Sequence, residues 1–402
     1  MGQENQSHSE NSSIHCQLAG VCGGCPWIEI PVQKQRDEKL KSLHGLLPKT
    51  PIEVLSVGEK RFRDRVDFTI KFGEDGQMKA GLWALKSSGV DMSLSQRELV
   101  DIHECPMMSP ELEAWFQEFR KDLPPIKMGS VRLRVSPEGE RGVWLDFSNE
   151  DIKTLFDEKS YLKRLSEKAH VEVGQRKKPL HFENDQPKLS KTLDFKPWFK
   201  TWDASNKSYP VHSPVGGFSQ SGLKANKVLV GEAMRAFKKA KELTGVGFWV
   251  EAFCGSGNFT YPLSRGAEKV LAFENDRLSL SSLEEGLKQA QINNVELMAI
   301  DAKSVKQIEG LVSKLPLDGN YALLADPPRS GLMRLLDFLK DGVLKPKALV
   351  YISCFSDSLT KDAEVLKSLG YELQILNLVD QFVHSPHVEW VSLWTLVSGN
   401  LN

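Results

Sequence analysis

The chain has 402 residues, 40% of them hydrophobic and 26% charged, which is enough apolar material to bury a core in each of two or three domains. No apolar run approaches the roughly 18 residues a membrane span needs, so a cytoplasmic protein with no membrane partner is expected. The net charge of -1 neither announces nor excludes a nucleic-acid partner, and local charge has to decide that question.

Met1 to Ser12 is polar and rich in Ser and Asn, the composition of a disordered tail. Next comes Cys16-x5-Cys22-x2-Cys25, which closes a thiolate nest around Gly23 and Gly24, and Cys105 beside Pro106 can add a fourth ligand from afar. Four thiolates suit an iron-sulfur cluster or a structural zinc. A proline beside one cysteine and small residues between the others favour the cluster, whereas a zinc ribbon usually pairs two C-x-x-C knuckles and one is present. Disulfides are disfavoured, since six cysteines in 402 residues are sparse for a secreted scaffold and no apolar signal segment precedes them.

Gln33 to Leu47 has helical spacing and strong charge. Arg61 to Ile70 reads as a strand that would project Arg61, Arg63 and Arg65 from one face, either toward phosphates or into solvent. From Ile52 to Pro210 short strand-like runs alternate with turns, among them Val131–Val135 and Gly142–Phe147 around Ser136–Gly139, and predict an antiparallel domain. Its end, Arg176 to Pro210, is rich in Lys, Asp, Asn and Pro and reads as an irregular connector.

From Phe218 onward strands are separated by helix-length segments. Gly247–Phe253 runs into Cys254-Gly-Ser-Gly257, a helical stretch and then Val270–Glu274, a βαβ unit with a glycine turn and an acid closing its second strand. The third glycine of the dinucleotide fingerprint is missing, so the turn suits S-adenosylmethionine better than NAD; the bland alternative is a core-packing turn. Tyr321–Ala325 reads as a buried strand that delivers Asp326-Pro-Pro-Arg329 to its carboxyl end, where ligands sit in open parallel sheets. Arg329 stands where amine-methylating enzymes carry an aromatic, which argues against amine methylation. Lys347–Ser353 ends at Cys354, a poised nucleophile or a packed cysteine, while Cys254 is left without a thiol role. His384, His387 and Glu389 fall within six positions, with metal binding by this trio the weaker option.

In this order, the cysteine pattern, Phe218-Ser-Gln220, Phe253-Cys-Gly-Ser-Gly-Asn-Phe259, Asp326-Pro-Pro-Arg329, Tyr351-Ile-Ser-Cys354 and His387-Val-Glu389 resemble the RNA uracil-C5 methyltransferase family from Cys16 to about Val397. The resemblance implies an α/β plus β-rich fold, a Rossmann-like class I methyltransferase domain preceded by an iron-sulfur and antiparallel β central domain. The divisions would be 1–12, 13–212 and 213–402. It implies Cys354 as nucleophile on uracil C6 and Glu389 as the base that removes the C5 proton. Gln220, Phe253, Asn258, Glu274 and Asp301 would surround S-adenosylmethionine, and Asp326 would lie between cofactor and uracil. Cys16, Cys22, Cys25 and Cys105 would hold a [4Fe-4S] cluster without a redox step. RNA is the implied partner, ribosomal RNA ahead of transfer RNA, because bacterial members acting on transfer RNA generally lack the cysteines and the short N-terminus resembles the branch without a TRAM barrel. This chain departs from the family pattern at Glu251, Gly222 and Phe355, where Asp, Asn and Asn are usual. A non-catalytic, metal-containing RNA-binding module is the reading from another class, and the pairing of Cys354 with Glu389 argues against it.

Overall fold

The computed structural model describes residues 14–43, 45–46, 48, 51–73, 76–85, 98–147, 152–174, 178–190, 195–316 and 318–397. The expected tail over 1–12 lies outside them.

After the cysteine nest, helix α1 (Val32–Lys41) leads to a short strand β1 (Val54–Ser56). The central sheet then begins with β2 (Arg65–Phe72), β3 (Met78–Trp83) and β4 (Leu99–Asp101). Helix α2 (Pro110–Arg120) starts where Ser109 Oγ accepts from Leu112 N and a proline fills its first turn. Its buried residues Leu112, Trp115, Phe116 and Phe119 recur at helical spacing and cover the sheet, with the Phe116 ring edge-on to Phe68 at 5.3 Å. Strands β5 (Met128–Val135) and β6 (Arg141–Asp146) form the expected hairpin, turned by Ser136–Gly139 with Gly139 at φ 86°. Helices α3 (Ile152–Asp157) and α4 (Lys159–Ser166) precede β7 (His170–Val173), β8 (Lys178–Glu183) and β9 (Gln186–Leu189). The strands lie in the order β4-β3-β2-β5-β6-β7-β8-β9.

Three expectations are corrected here. The sheet is antiparallel except at β6 and β7, which pair parallel because two helices intervene. The stretch read as a connector is largely strand: β8 and β9, then a hairpin of β10 (Lys196–Trp202) and β11 (Ser208–Ser213). Proline and lysine there sit in short or paired strands, where composition is a poor guide. Residues 61–64 are not strand: Arg61 has φ 57° and its N–H, like those of Phe62 and Arg63, bonds to the 106–107 backbone, so the three arginines share no strand face.

The second sheet follows α5 (Leu223–Thr244), whose C-terminus is closed by Gly245 at φ 69°. Strands β12 (Phe248–Ala252), β13 (Lys269–Glu274), β14 (Val295–Ala299), β15 (Tyr321–Ala325) and β16 (Ala348–Ser353) run parallel, linked by α6 (Thr260–Gly266), α7 (Arg277–Gln289), α8 (Val305–Val312) and α9 (Arg334–Lys340). After α10 (Ser356–Ser368), β17 (Tyr371–Asp380) and the antiparallel β18 (Trp390–Leu396) complete it. The order is β1-β17-β18-β16-β15-β12-β13-β14. Every residue of β15 and β16 is buried, the continuous apolar run of a strand covered on both faces. The order reverses between β12 and β15, and the carboxyl ends of both open onto one edge. Two segments before residue 213 join this half: β1 adds an edge parallel to β17, and Trp198, Phe199, Tyr209 and Val211 of the hairpin share a core with Leu229, Ala233 and Tyr261. Among the described residues no helix is long and apolar enough to cross a membrane.

Candidate active site and cysteine nest

The carboxyl ends of β12, β13, β15, β16 and β17, with the start of the antiparallel β18, bring the sequence-selected residues to one edge. Phe253 leaves β12 at φ 62°, a left-handed conformation that is strained for a residue with a side chain. Gly255 follows at φ 53°, and a methyl group built on it would meet nothing within 4 Å, so this turn faces open space. Glu274 at the end of β13 fastens the turn: Oε2 accepts from Gly255 N at 3.1 Å, and Oε1 from Asn275 N and Asp276 N. Three of about four acceptor positions are thereby used. Asn258 pairs its amide reciprocally with Asn226 at 2.8 Å, so its side chain braces the turn against α5. Asp301 lies just past β14, where its carboxylate caps Lys303 N.

Asp326, Cys354 and Glu389 lie close enough for their charges to act on one another. Burial, then the charge of Asp326, push the Glu389 carboxyl well above its ordinary range, while a hydrogen bond from Gln381 works the other way. Asp326 is likewise raised by desolvation. The half-buried Cys354 thiol is pushed up to about 11 by burial and by Glu389 and Asp326, with Arg329 opposing them. The free site therefore holds a thiol, and attack through sulfur requires its proton to leave. Glu251, inside β12, has its carboxyl pushed up to about 8 by burial. The Gly222 departure has a steric cause, since a Cβ there would lie 1.8 Å from the Phe62 carbonyl oxygen. Phe355 is 42% exposed beside the nucleophile, and Phe218 70% exposed beside Gln220.

Sequence reasoning missed the residues that hold these groups. Gln381 Nε2 donates to Glu389 Oε2 at 2.8 Å and to Gln220 Oε1 at 3.1 Å. Helix α1 fastens the loop after β17: Lys39 Nζ and Arg36 Nε meet the Asp380 carboxylate at 2.7 and 3.0 Å, and Gln35 bonds both the N–H and the ring of His384. His384, buried at φ 66°, is thus a structural residue, and His387 approaches Arg329 at 3.3 Å. A second clamp holds the segment before Gln220: Arg65 donates to Ser219 O, Arg132 to Gly216 and Gly217 O, and Arg134 to Pro214 and Val215 O. The sequence signal was the alternation Arg132, Arg134 on β5 opposite Arg65 and Asp67 on β2.

Cys16, Cys22, Cys25 and Cys105 line one cavity of about 240 Å³, together with Arg63, Phe218, Gln220 and Phe382. The nest is docked onto the end of β3 and the residues after it, through Gly23 N to Trp83 O and Leu85 N to Val21 O. Burial, partly offset by Arg63, pushes Cys25 up to about 12, and burial raises Cys22 and Cys105 as well. No group of three or more His, Cys, Asp or Glu side chains among the described residues is drawn together closely enough to hold a metal ion. Cys254 is buried in the core.

A family profile described as tRNA (Uracil-5-)-methyltransferase matches residues 200–395. Over 404 residues, the chain is 35% identical to an uncharacterized RNA methyltransferase, Bd2056, of Bdellovibrio bacteriovorus, covering 97% of each chain. The chain belongs to the RNA uracil-C5 methyltransferase family. This methyltransferase is also 27% identical to the tRNA/tmRNA (uracil-C(5))-methyltransferase of Nautilia profundicola, covering 93% of this chain and 97% of that one. It is 25% identical to the 23S rRNA (uracil(1939)-C(5))-methyltransferase RlmD of Histophilus somni, covering 94% and 81%. In fold it is similar to the crystal structure of Pyrococcus abyssi tRNA (uracil-54, C5)-methyltransferase in complex with S-adenosyl-L-homocysteine, at 18% identity and TM-score 0.59, covering 95% of this chain and 87% of that one.

Proposed function

We propose that this methyltransferase forms 5-methyluridine in ribosomal RNA by covalent catalysis through Cys354. The observation that carries the reading is the meeting of Cys354, Asp326 and Glu389, from three different strand ends, at one edge of the sheet. Uracil C5 is a poor nucleophile. Once the Cys354 proton has left to solvent, bonding of Sγ to C6 opens the C5–C6 double bond and moves its electron pair to C5 and O4; C5 would then take the methyl group of a sulfonium donor, whose S–CH3 bond breaks to leave a neutral thioether. Glu389 takes the C5 proton, the C5–C6 double bond re-forms, and the C6–S bond breaks to return the Cys354 thiolate. The target base has to leave its stack for both groups to reach it, which costs a few kcal/mol and is easiest in a loop.

The open turn at Gly255, the strained Phe253 and the carboxylates Glu274, Asp301 and Asp326 fit S-adenosylmethionine, with Gln220 and Asn258 bordering it. Bound there, S-adenosylmethionine supplies the electrophilic methyl group. Glu274 would contact the ribose with its remaining acceptor position, and Asn258 would act through the turn it braces. By donor chemistry, and by lining one cavity rather than by the spacing of their sulfurs, Cys16, Cys22, Cys25 and Cys105 would hold a [4Fe-4S] cluster, with Arg63 beside it and a role in joining the N-terminal segment to the 218–221 loop. The remaining reading is a transfer-RNA substrate, supported by the Nautilia profundicola relative, which this chain covers over 97% of its length.

The test is methyl incorporation from labelled S-adenosylmethionine into ribosomal and transfer RNA transcripts, with the product nucleoside identified. 5-Methyluridine in ribosomal RNA alone is the expected outcome. The same product in transfer RNA alone would replace the substrate, and another methylated nucleoside would overturn the C5 reading.

A further inference from the structure

Gln381 is fully buried, and its amide faces two functional side chains at once. Nε2 donates to Glu389 Oε2 at 2.8 Å and to Gln220 Oε1 at 3.1 Å, while its own Oε1 has no partner. Two acceptors on one nitrogen fix which end of the amide faces the carboxylate. The backbone around it is equally fixed: Gln381 N donates to Val379 O, and the residues on either side are held by Lys39, which bonds the Asp380 carboxylate and the Phe382 carbonyl. Val379 N in turn donates to the Glu389 carbonyl, so the loop that carries Gln381 and the residue it contacts share one hydrogen-bonded frame. The groups facing Glu389 are Asp326 from β15, Cys354 from β16 and Gln381 from the end of β17, with Arg329 next to Cys354. Of these, Gln381 is the one whose hydrogen bond to Glu389 is formed in the structure.

We propose that Gln381 is the positioning residue for proton removal: it holds Glu389 Oε2 so that Oε1 meets the C5 hydrogen, and it ties that geometry to Gln220. This rests on the reading of Glu389 as the base. Burial and the charge of Asp326 favour the neutral Glu389 carboxyl, and the hydrogen bond from Gln381 acts against them, so it favours the ionised state that accepts the proton. The step is ordinary in its balance: the C5–H bond breaks toward Glu389, its electron pair closes the C5–C6 double bond, and sulfur departs with the pair of the C6–S bond.

Gln381→Met keeps the side-chain volume and removes the donor. With uracil-containing substrate RNA and S-adenosylmethionine, kcat is expected to fall about 10- to 100-fold, the loss of one hydrogen bond to a charged group. KM for S-adenosylmethionine and the rate of the first methyl transfer should stay within about twofold of wild type, and a methylated RNA–protein adduct should accumulate on denaturing gels. Glu389→Gln, run beside it, should accumulate the same adduct with turnover lost. If Glu389→Gln is dead and Gln381→Met turns over like wild type without adduct, the positioning role is wrong and the base assignment stands. If Gln381→Met slows the first methyl transfer or weakens cofactor binding, Gln381 serves binding and the proposal fails. If Glu389→Gln turns over normally, the base reading falls and this proposal with it.

Discussion

The acidic edge of the second sheet and the cysteine nest border the same loop, residues 218–221, yet they are held in opposite ways. At the edge the groups sit at strand ends, and side chains fix several of them: Gln381 holds Glu389, Lys39 and Arg36 hold Asp380, and Glu274 holds the Gly255 backbone. In the nest, the backbone docks beside β3, and the thiols are met by backbone N–H groups, Gly24 N at 3.4 Å from Cys22 Sγ and those of Met107 and Met108 toward Cys105. The polypeptide alone preorganises the edge, whereas the nest leaves buried sulfurs whose desolvation is unbalanced until something binds them. Shape at the edge should thus survive changes that empty the nest.

The largest effect should come from the edge. Cys354→Ala is expected to abolish methyl transfer while S-adenosylmethionine binding, measured by calorimetry, changes by less than about twofold, because the sulfur contributes bonding and little binding surface. Wild-type turnover would remove covalent catalysis from the account.

The second prediction concerns the free protein. Burial, Glu389 and Asp326 raise the Cys354 thiol to about 11, so the reactive thiolate is scarce at neutral pH and grows as pH rises toward that value. Alkylation of Cys354, followed by peptide mass spectrometry at pH 8, should be at least about tenfold slower than for an unperturbed cysteine and should climb steadily to pH 10. Rapid labelling at pH 7 would mean the edge is less enclosed than its geometry indicates.

For the nest, Cys25→Ser should lower iron content of anaerobically purified protein by more than half and bleach its broad visible absorption. Hydrogen exchange over 248–253 and 321–326 should remain at the wild-type level. Full iron retention would contradict the ligand assignment, and loosening of those strands would erase the contrast between the two regions.

The smallest expected effect is structural. Lys39→Met leaves Asp380 buried with Arg36 as its remaining partner, at a cost of about 2–3 kcal/mol in urea unfolding. Exchange protection should fall in 380–389 and be unchanged in 128–146.

What the sequence revealed follows the same division. Strands with continuous apolar runs, Tyr321–Ala325 and Ala348–Ser353, were legible because burial on both faces leaves no other composition for them. The residues that terminate them, Asp326 and Cys354, were legible because strand ends are where chemistry is placed in such sheets. Strands at 178–213 were hidden by lysine and proline, since their pairing depends on partners distant in the chain. Arg61, Arg63 and Arg65 looked periodic but are split by a left-handed bend at Arg61, and Arg65 is taken up by the Ser219 carbonyl and the Asp67 carboxylate. Gln381 and Lys39 carried no local signal: a glutamine before a phenylalanine and a lysine on a charged helix become informative when the loop after β17 lies against α1. The value of Gly222 likewise appears once the Phe62 carbonyl is seen to cross it.

C5 chemistry through Cys354 and Glu389 releases the C5 hydrogen, so tritium release reads it out. RNA carrying tritium at uracil C5 is incubated with S-adenosylmethionine and either the wild-type chain or Glu389→Gln, while methyl transfer is counted in parallel. One tritium should be released per methyl group for wild type, and methyl transfer should occur without release for Glu389→Gln. Methyl transfer by the wild-type chain with the tritium retained would place the reaction at another atom and contradict C5 chemistry.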